Sequence, residues 1–268
     1  MSRLTLPIYQ VDAFTTSLFA GNPAAIVPLE AWLGDDELLA ISAENNLAET
    51  AFIVPAGNNF ELRWFTPKIE VDLCGHATLA TAFLLFEVLE PGRTHVEFIT
   101  RKAGTLTVTR KDDLITMDFP ARASSAITAP DGLAHALGAA PVGVWRSAAN
   151  FLCTFENEAD VLALTPDLRA LAKFDCHGVI ATAPGKEDDI DFVSRFFAPA
   201  VGIDEDPVTG SAHCTLAPFW GARLGRQQLV ARQISPRGGT LYLALDGDRV
   251  KIAGKALLYL KGEIYLPR

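Results

Sequence analysis

The sequence predicts an α+β protein of two pseudo-symmetric lobes, each a curved, mostly antiparallel sheet around a central buried helix. Three observations lead to this fold class: a pattern that occurs twice along the chain, one helix in each half that is apolar on all sides, and strand-like segments around each helix. With 268 residues, of which 49% are hydrophobic, the chain is long enough for two cores of about half its length each.

The repeat is visible in the strings LCGHATLATAFLLF and PVTGSAHCTLAPFW. Gly75 and Gly210, which lie within them, are 135 residues apart, and Gly104 and Gly239, which begin later strand-like segments, are separated by the same 135 residues. Agreement at ordered points favours a duplicated half over a chance similarity between two amphipathic stretches.

The first half has a clear order of elements. The predicted elements are helix 35–45, strands 50–55 and 62–65, helix 76–89, and strands 96–100, 105–109 and 114–119. The first helix opens at an acidic N-cap and ends at Asn46, because asparagine tolerates a left-handed backbone. The second helix has almost no polar face before Glu87, so it must be buried on every side.

The second half repeats this order around a core helix over 211–224. Pro218 would kink that helix unless the carbonyl that it leaves free finds another partner. The lobes are predicted as 1–120 and 121–257. The C-terminal strand can close either half, and 258–268 is the segment that would complete the first lobe.

The charge balance excludes some partners. Lysine and arginine number 23 against 32 acidic residues, a net charge of −9. Such a chain repels phosphate backbones, so no nucleic-acid partner is predicted. No uncharged run reaches the roughly 18 to 20 residues that cross a bilayer, and no apolar signal core precedes Asp12. We expect a cytoplasmic protein that makes no membrane contact.

Several common site motifs are absent. The four cysteines are widely spaced, with no C-x-x-C pair, and the chain has no H-E-x-x-H. We therefore predict neither a metal site nor a disulfide framework. No G-x-G-x-x-G opens a helix after a strand, and G-x-x-x-x-G-K-[ST] and G-x-S-x-G do not occur. The usual motifs for dinucleotide binding, nucleotide binding and serine hydrolysis are therefore missing, and no cofactor is predicted.

Each core helix begins at a glycine followed by a small or polar residue, Gly75-His76 in one half and Gly210-Ser211 in the other. Unpaired N–H groups and the positive end of the helix dipole favour an anion there. Two lobes related by a pseudo-twofold axis leave a groove, so we expect both helix starts to face it and to bind a substrate carboxylate. The alternative is that the glycines only allow tight packing.

Four side chains near these points can carry or orient a proton. Glu49 precedes an apolar strand, so its carboxyl is expected to be partly desolvated and suited to general acid and base work, or else to be an ordinary edge carboxylate. The helix dipole is expected to keep His76 neutral, unless this histidine is only a helix cap. Asp206 can orient an imidazole or ammonium group. Cys74 is either activated by the helix end or a small buried apolar residue.

Four motifs occur in order along the chain: D-A-F-x(6)-G-N-P, N-L-x-E, C-G-H-A-T and D-P-V-T-G-S-A-H-C. Together they closely resemble the PhzF family, named for an isomerase of phenazine biosynthesis, and the similarity runs over essentially the whole chain. The resemblance implies two pseudo-symmetric lobes as in diaminopimelate epimerase, which agrees with the repeat.

The same resemblance implies roles for residues of this chain. It implies that the catalytic residues are Glu49, His76 and Asp206, with Glu49 as both acid and base. It implies that the substrate-binding residues are Asn22, Cys74, Gly75, Gly210 and Ser211. Cys74 stands where the phenazine isomerase looks to have alanine, and its C-G-H motif is similar to that of proline racemase, which works with two opposed cysteines. The repeat puts Thr209 at the opposite position, which argues against a two-thiol mechanism.

The function implied is that of a cofactor-independent isomerase, in which Glu49 in the inter-lobe cleft moves a proton between carbons of a small carboxylate substrate. The resemblance also suggests a homodimer. Two alternatives stay open: a catalytically inactive small-carboxylate binding or regulatory protein on the same fold, and a Cys74-assisted epimerase. No particular substrate is predicted, and neither is phenazine production.

Overall fold

The structure is a computed structural model that describes residues 3–147 and 149–267. The chain divides into two compact units. The first unit runs to Asp118 and includes the chain again from Ala253, and the second unit is Phe119–Ile252. Within the described residues, no helix is both long and apolar enough to cross a membrane.

The helices and strands follow one another in mixed order. The elements up to the first boundary are β1 Arg3–Ala13, β2 Asn22–Pro28, α1 Asp35–Asn45, β3 Glu49–Ala56, β4 Asn59–Phe65, β5 Glu70–Val71, α2 Gly75–Leu84, a π-helical turn Leu85–Leu89, β6 His95–Thr100, β7 Thr105–Lys111 and β8 Leu114–Pro120. Those that follow are β9 Ser125–Ile127, α3 Leu133–Leu137, β10 Gly143–Ser147, β11 Asn150–Thr154, α4 Glu158–Leu162, α5 Leu168–Leu171, β12 Gly178–Pro184, β13 Phe192–Phe197, a 3₁₀ turn Pro199–Val201, α6 Gly210–Leu224, β14 Gln228–Gln233, β15 Gly239–Asp246, β16 Arg249–Gly254 and β17 Ala256–Pro267.

The first unit is a mostly antiparallel sheet around α2. Strand β1 pairs antiparallel with both β17 and β2, β2 pairs parallel with β3, β3 antiparallel with β4, and β4 parallel with β6. Antiparallel pairs β6–β7 and β7–β8 continue the sheet. Helix α2 contacts β1, β2, β3 and β17. The predicted sheet around a buried helix is confirmed.

The second unit has the same sequence of strand pairings. Strand β10 pairs antiparallel with β9 and β11, β11 parallel with β12, β12 antiparallel with β13, β13 parallel with β14, and β14 antiparallel with β15. Helix α6 contacts β14 and β15. The alternation from β10 to β15 matches that from β1 through β2, β3, β4 and β6 to β7, so the two halves share one internal topology, as the repeat predicts.

Two buried hydroxyl groups of the first core helix are hydrogen-bonded within that helix. In α2 the hydroxyls of Thr78 and Thr81 donate to the carbonyls of Cys74 and Ala77, at 2.6 and 2.7 Å. Because these bonds remove the need for solvent, threonine can lie in a helix that is buried on nearly all sides. The same helix is shorter than predicted and continues as the π-helical turn.

Helix α6 runs through Pro218 without ending there. A proline leaves the carbonyl four residues before it without its helical partner. That carbonyl belongs to Cys214, and it accepts a hydrogen bond from the backbone N–H of Arg122 at 2.9 Å. The condition stated from the sequence, that the freed carbonyl must find another partner, is therefore met.

The start of α1 corrects one expectation. Its N-cap is Gly34 and not an acidic residue, and the Glu37 carboxylate accepts the Gly34 N–H at 3.4 Å. The acidic residues lie instead in the first turn, where they face the positive end of the helix dipole. At the other end Asn46 has the predicted left-handed backbone, with φ of 50°.

Candidate active site

Glu49 is the first residue of β3, and 8% of it is exposed. Strands β2 and β3 are parallel, with Ala24 opposite Glu49. Because parallel strands begin at the same edge of a sheet, Glu49 lies close to Asn22, the first residue of β2. The Glu49 carboxyl is therefore buried, as the sequence led us to expect.

Helix α2 brings two more side chains to this edge. Its N-cap residue Cys74 has an extended backbone, with φ of −138° and ψ of 111°, and His76 lies in its first turn. The Nε2 atom of His76 is 3.1 Å from Oε2 of Glu49, and its Nδ1 atom is 3.1 Å from the amide nitrogen of Asn22. Sγ of Cys74 is 3.5 Å from Nδ1.

The neighbours of His76 change the pKa of its ring. Burial opposes the charged imidazole, but the contacts of the ring with Cys74 and Glu49 outweigh burial, so the pKa of His76 is raised well above its usual value. The direction of this shift is opposite to the expected effect of the helix dipole, which is weaker than a carboxylate in direct contact. The contact of Nδ1 with the Asn22 amide nitrogen, a donor, fits a ring that carries its proton on Nε2, the atom that faces Glu49. The expected neutral imidazole stays a prediction.

Cys74 is 6% exposed. Burial raises the pKa of its thiol, the charge of Glu49 raises it further, and the nearby His76 lowers it only in part. The side chain is therefore a thiol and not a thiolate near neutral pH. A buried, protonated thiol is a poor nucleophile and a poor base, so the structure does not support either role for Cys74.

The second unit has its own cluster at the start of α6. The hydroxyl of Thr209, the N-cap residue, donates to Oδ2 of Asp206 at 2.5 Å, and Asp206 is 9% exposed. Gly210 is buried, whereas Ser211 is exposed in the first turn. The predicted residues thus fall into two groups, one in each unit. The shared groove stays a prediction.

A family model described as phenazine biosynthesis-like protein, PhzC-PhzF, matches residues 11–262. An uncharacterized isomerase of Pseudomonas aeruginosa is 50% identical over 263 residues, which cover 98% of this chain and 100% of that protein. The chain belongs to the PhzF family. The other relatives named as uncharacterized isomerases include one from Halalkalibacterium halodurans, 41% identical over 98% of this chain and 100% of that protein. The expected enzyme class, an isomerase, is confirmed.

Solved structures of the PhzF family have the same fold. The crystal structure of a PhzF family phenazine biosynthesis protein from Enterococcus faecalis matches with a TM-score of 0.94 and 45% identity, and the match covers 98% of this chain and 100% of that one. The fold extends beyond the family. A hydroxyproline epimerase from Agrobacterium vitis matches with a TM-score of 0.62 at 12% identity, over 98% of this chain and 93% of that one.

One residue that supports the second cluster of this PhzF protein was not predicted. Gln233 is completely buried at the end of β14. Its Oε1 atom accepts the backbone N–H of Thr209 at 2.8 Å, and its Nε2 atom donates to the carbonyl of Asp206 at 2.7 Å and to the Thr209 hydroxyl at 3.1 Å. The repeat could have revealed it, because the corresponding residue of the first half, 135 residues earlier, is the apolar Phe98.

Proposed function

We propose that this PhzF-family isomerase moves a proton between carbons of a small carboxylate substrate, with Glu49 as both base and acid. The observation that carries the proposal is the buried contact of 3.1 Å between Glu49 Oε2 and His76 Nε2. A buried carboxylate in contact with an imidazole is held in one orientation, which suits a side chain that must take up a proton and return one.

The proposed reaction has two steps. The Glu49 carboxylate takes a proton from a substrate carbon, and the electron pair of that C–H bond moves into the adjacent unsaturated system. The protonated Glu49, whose proton can be replaced from solvent between the two steps, then gives a proton to a second carbon, and the electron pair forms that new C–H bond. General acid and base catalysis of this kind contributes roughly 10² to 10⁴ in rate.

His76 is proposed to stabilise the carboxylate of Glu49 through Nε2. Asn22 holds the other side of the imidazole ring, because its amide nitrogen contacts Nδ1 of His76 at 3.1 Å. Because the imidazole contacts a different partner through each nitrogen, its plane is fixed, and the position of Glu49 is fixed with it. This geometry needs no second base on the chain.

The second half supports a one-base mechanism. Thr209, which corresponds to Cys74, has its hydroxyl proton directed at Asp206. His177, which corresponds to Glu49 in the looser upstream part of the repeat, is exposed. Neither position carries a buried carboxylate or thiol that could act as an opposed base, whereas a two-base racemase needs one on each side of the reacting carbon.

For the second cluster we propose a binding role. The exposed hydroxyl of Ser211 and the backbone N–H groups at the start of α6 suit a substrate carboxylate. Asp206 would orient an amino or hydroxyl group of the same substrate. Under this proposal Ser211→Ala raises KM and leaves kcat nearly unchanged, because a binding contact is lost and the proton carrier is not.

The decisive experiment is exchange of carbon-bound hydrogen with deuterated solvent, followed by NMR over a panel of small cyclic and amino-acid-like carboxylates. We expect the wild type to exchange at least one of them and Glu49→Gln to lose the exchange by 10² or more, with the melting temperature changed by a few degrees only. The matched control is Glu44→Gln, which removes an exposed carboxylate on α1 and should keep full activity.

Unchanged exchange in Glu49→Gln would remove Glu49 from the mechanism. Binding of a carboxylate by the wild type with no exchange would favour the inactive binding protein.

A further inference from the structure

Three different metal-binding side chains meet in the first unit. One donor atom each from Glu49, Cys74 and His76, an oxygen, a sulfur and a nitrogen, lie within 4.8 Å of one another. All three residues are buried. We propose that this cluster, the Glu49–Cys74–His76 site, binds a thiophilic divalent cation of the Zn²⁺ class, and that the bound cation inhibits the isomerase. The inhibition rests on the proposed function, whereas the binding does not.

The distances within the cluster suit such an ion. Zinc binds sulfur at about 2.3 Å and nitrogen or oxygen at about 2.0 to 2.2 Å, so the donors of a tetrahedral site are about 3.3 to 3.6 Å apart. Nε2 of His76 is 3.1 Å from Oε2 of Glu49 and 3.9 Å from Sγ of Cys74. These separations lie on either side of the required range, and the third pair, the Cys74 sulfur and a Glu49 oxygen, lies within 4.8 Å. A side-chain movement of up to about 1 Å would bring all three atoms to one tetrahedral cation.

The orientation of the imidazole gives a second argument. A histidine that binds metal through one ring nitrogen is usually held through the other by a polar group of the protein. Here the side-chain amide of the completely buried Asn22 contacts Nδ1 at 3.1 Å, and turning this amide would let its oxygen accept the Nδ1 proton of a metal-bound ring. Nε2 is thereby left on the side of Glu49, where the cation would sit. The arrangement that orients His76 for catalysis would therefore also orient it for a metal.

The donor set also selects among cations. Calcium and magnesium prefer sites made of oxygen atoms, while thiolate with imidazole favours zinc and cobalt. Three protein donors leave one position of a tetrahedral ion for water or another ligand. Since the cation would bind the Glu49 carboxylate that the proposed reaction uses to accept a proton, its binding would stop proton transfer. This site could not be predicted from the sequence, because Glu49 is far from Cys74 in the chain and C-x-H is not a metal spacing.

Cobalt binding tests the site without reference to activity. Protein treated with a chelator and then titrated with Co²⁺ should show a thiolate-to-cobalt charge-transfer band in the near ultraviolet at one equivalent per chain, and Zn²⁺ should abolish it. Cys74→Ala should lose the band and bind Zn²⁺ at least about tenfold more weakly, as expected when part of a metal site is removed. The matched control Cys176→Ser, in the core of the second unit, should keep both. Melting curves establish that each variant is folded. Absence of the band in the wild type, or its persistence in Cys74→Ala, would overturn the site.

Inhibition is then measured on solvent exchange, with and without Zn²⁺. The concentration that halves exchange should match the dissociation constant from the cobalt and zinc titrations. Full exchange by zinc-loaded enzyme would overturn the inhibition and leave the binding result standing. If no substrate exchanges under metal-free conditions, the proposed function fails, and the cobalt band still decides the metal site.

Discussion

His213 donates a hydrogen bond through Nδ1 to the backbone carbonyl of Thr209 at 2.8 Å, one turn inside α6. Thr78 occupies the corresponding position of α2, and its hydroxyl donates to the carbonyl of Cys74. Each core helix therefore uses its fourth residue to bind the carbonyl of its own N-cap residue. In the second unit the residue that does so is titratable and completely buried, stacked on the ring of Phe192 with centroids 5.9 Å apart.

This burial makes the stability of the protein depend on pH. Burial lowers the pKa of His213 to about 4, and the Thr209 carbonyl offsets only part of that effect. In the unfolded chain the imidazole titrates near 6.5. Between about pH 6.5 and 4 the unfolded chain therefore takes up a proton that the folded protein refuses. Stability falls as pH falls through this window, by up to about 3 kcal/mol in all.

Denaturant unfolding of the wild type and His213→Gln at intervals from pH 4 to 7 measures this contribution. The variant is expected to be less stable at pH 7, because it loses the stacked ring. The difference in free energy of unfolding should then narrow as pH falls, since glutamine takes up no proton. A difference that stays constant over the window would show that His213 titrates normally in the folded protein.

Gln233 is expected to stabilise the second cluster through its hydrogen bonds to Thr209 and Asp206. Gln233→Leu removes one acceptor and two donations, and leaves the Thr209 N–H buried with no side-chain acceptor. Each unsatisfied buried group costs about 1 to 3 kcal/mol, so a loss of about 2 to 4 kcal/mol is expected in urea unfolding. KM for solvent exchange should also rise, because Asp206 loses its support.

The matched control for this variant is Gln228→Leu. Gln228 lies on the same strand, β14, and is exposed. We expect the free energy of unfolding of this variant to differ from that of the wild type by less than about 0.5 kcal/mol, as for an ordinary surface substitution. Equal effects at the two positions would mean that the amide contacts of Gln233 contribute little.

The difference between Gln233 and the helices shows which features the sequence can predict. Both core helices were predictable because an apolar surface on all sides and an N-terminal glycine are local properties. Glu49 was named by its motif and by its place before an apolar strand. The raised pKa of His76 could not be predicted because it depends on contact with Glu49, which only strand pairing brings close. Gln233 was missed because a glutamine at a strand end usually faces solvent.

Gly21 precedes Asn22 and has a backbone that suits glycine. Its φ is +69°, and a Cβ atom there would lie 2.2 Å from the carbonyl oxygen of Ala13. Gly57 has a similar φ of +64° with no atom within 4 Å of the added Cβ. The left-handed backbone alone costs about 1 to 2 kcal/mol with alanine.

Comparing Gly21→Ala with Gly57→Ala therefore separates backbone strain from steric contact. We expect Gly57→Ala to lose about 1 kcal/mol and Gly21→Ala to lose at least about 2 kcal/mol more, because the backbone must shift. Urea unfolding gives both values. Only Gly21→Ala should also slow solvent exchange, since it moves Asn22 away from His76. Equal losses of stability would show that the loop yields to the added methyl group.

Cys74 provides the test between the one-base isomerase and the Cys74-assisted epimerase. Burial and the charge of Glu49 raise the pKa of its thiol, so in the metal-free enzyme Cys74 carries its proton and cannot act as a base near neutral pH. Cys74→Ala should therefore reduce solvent exchange by no more than about tenfold, while Glu49→Gln reduces it by about 10² to 10⁴. Thiol alkylation of the wild type is a poorer test, because an added group would also displace the neighbouring His76. If Cys74→Ala lowers exchange as far as Glu49→Gln does, the thiol transfers the proton and the epimerase mechanism replaces the one proposed.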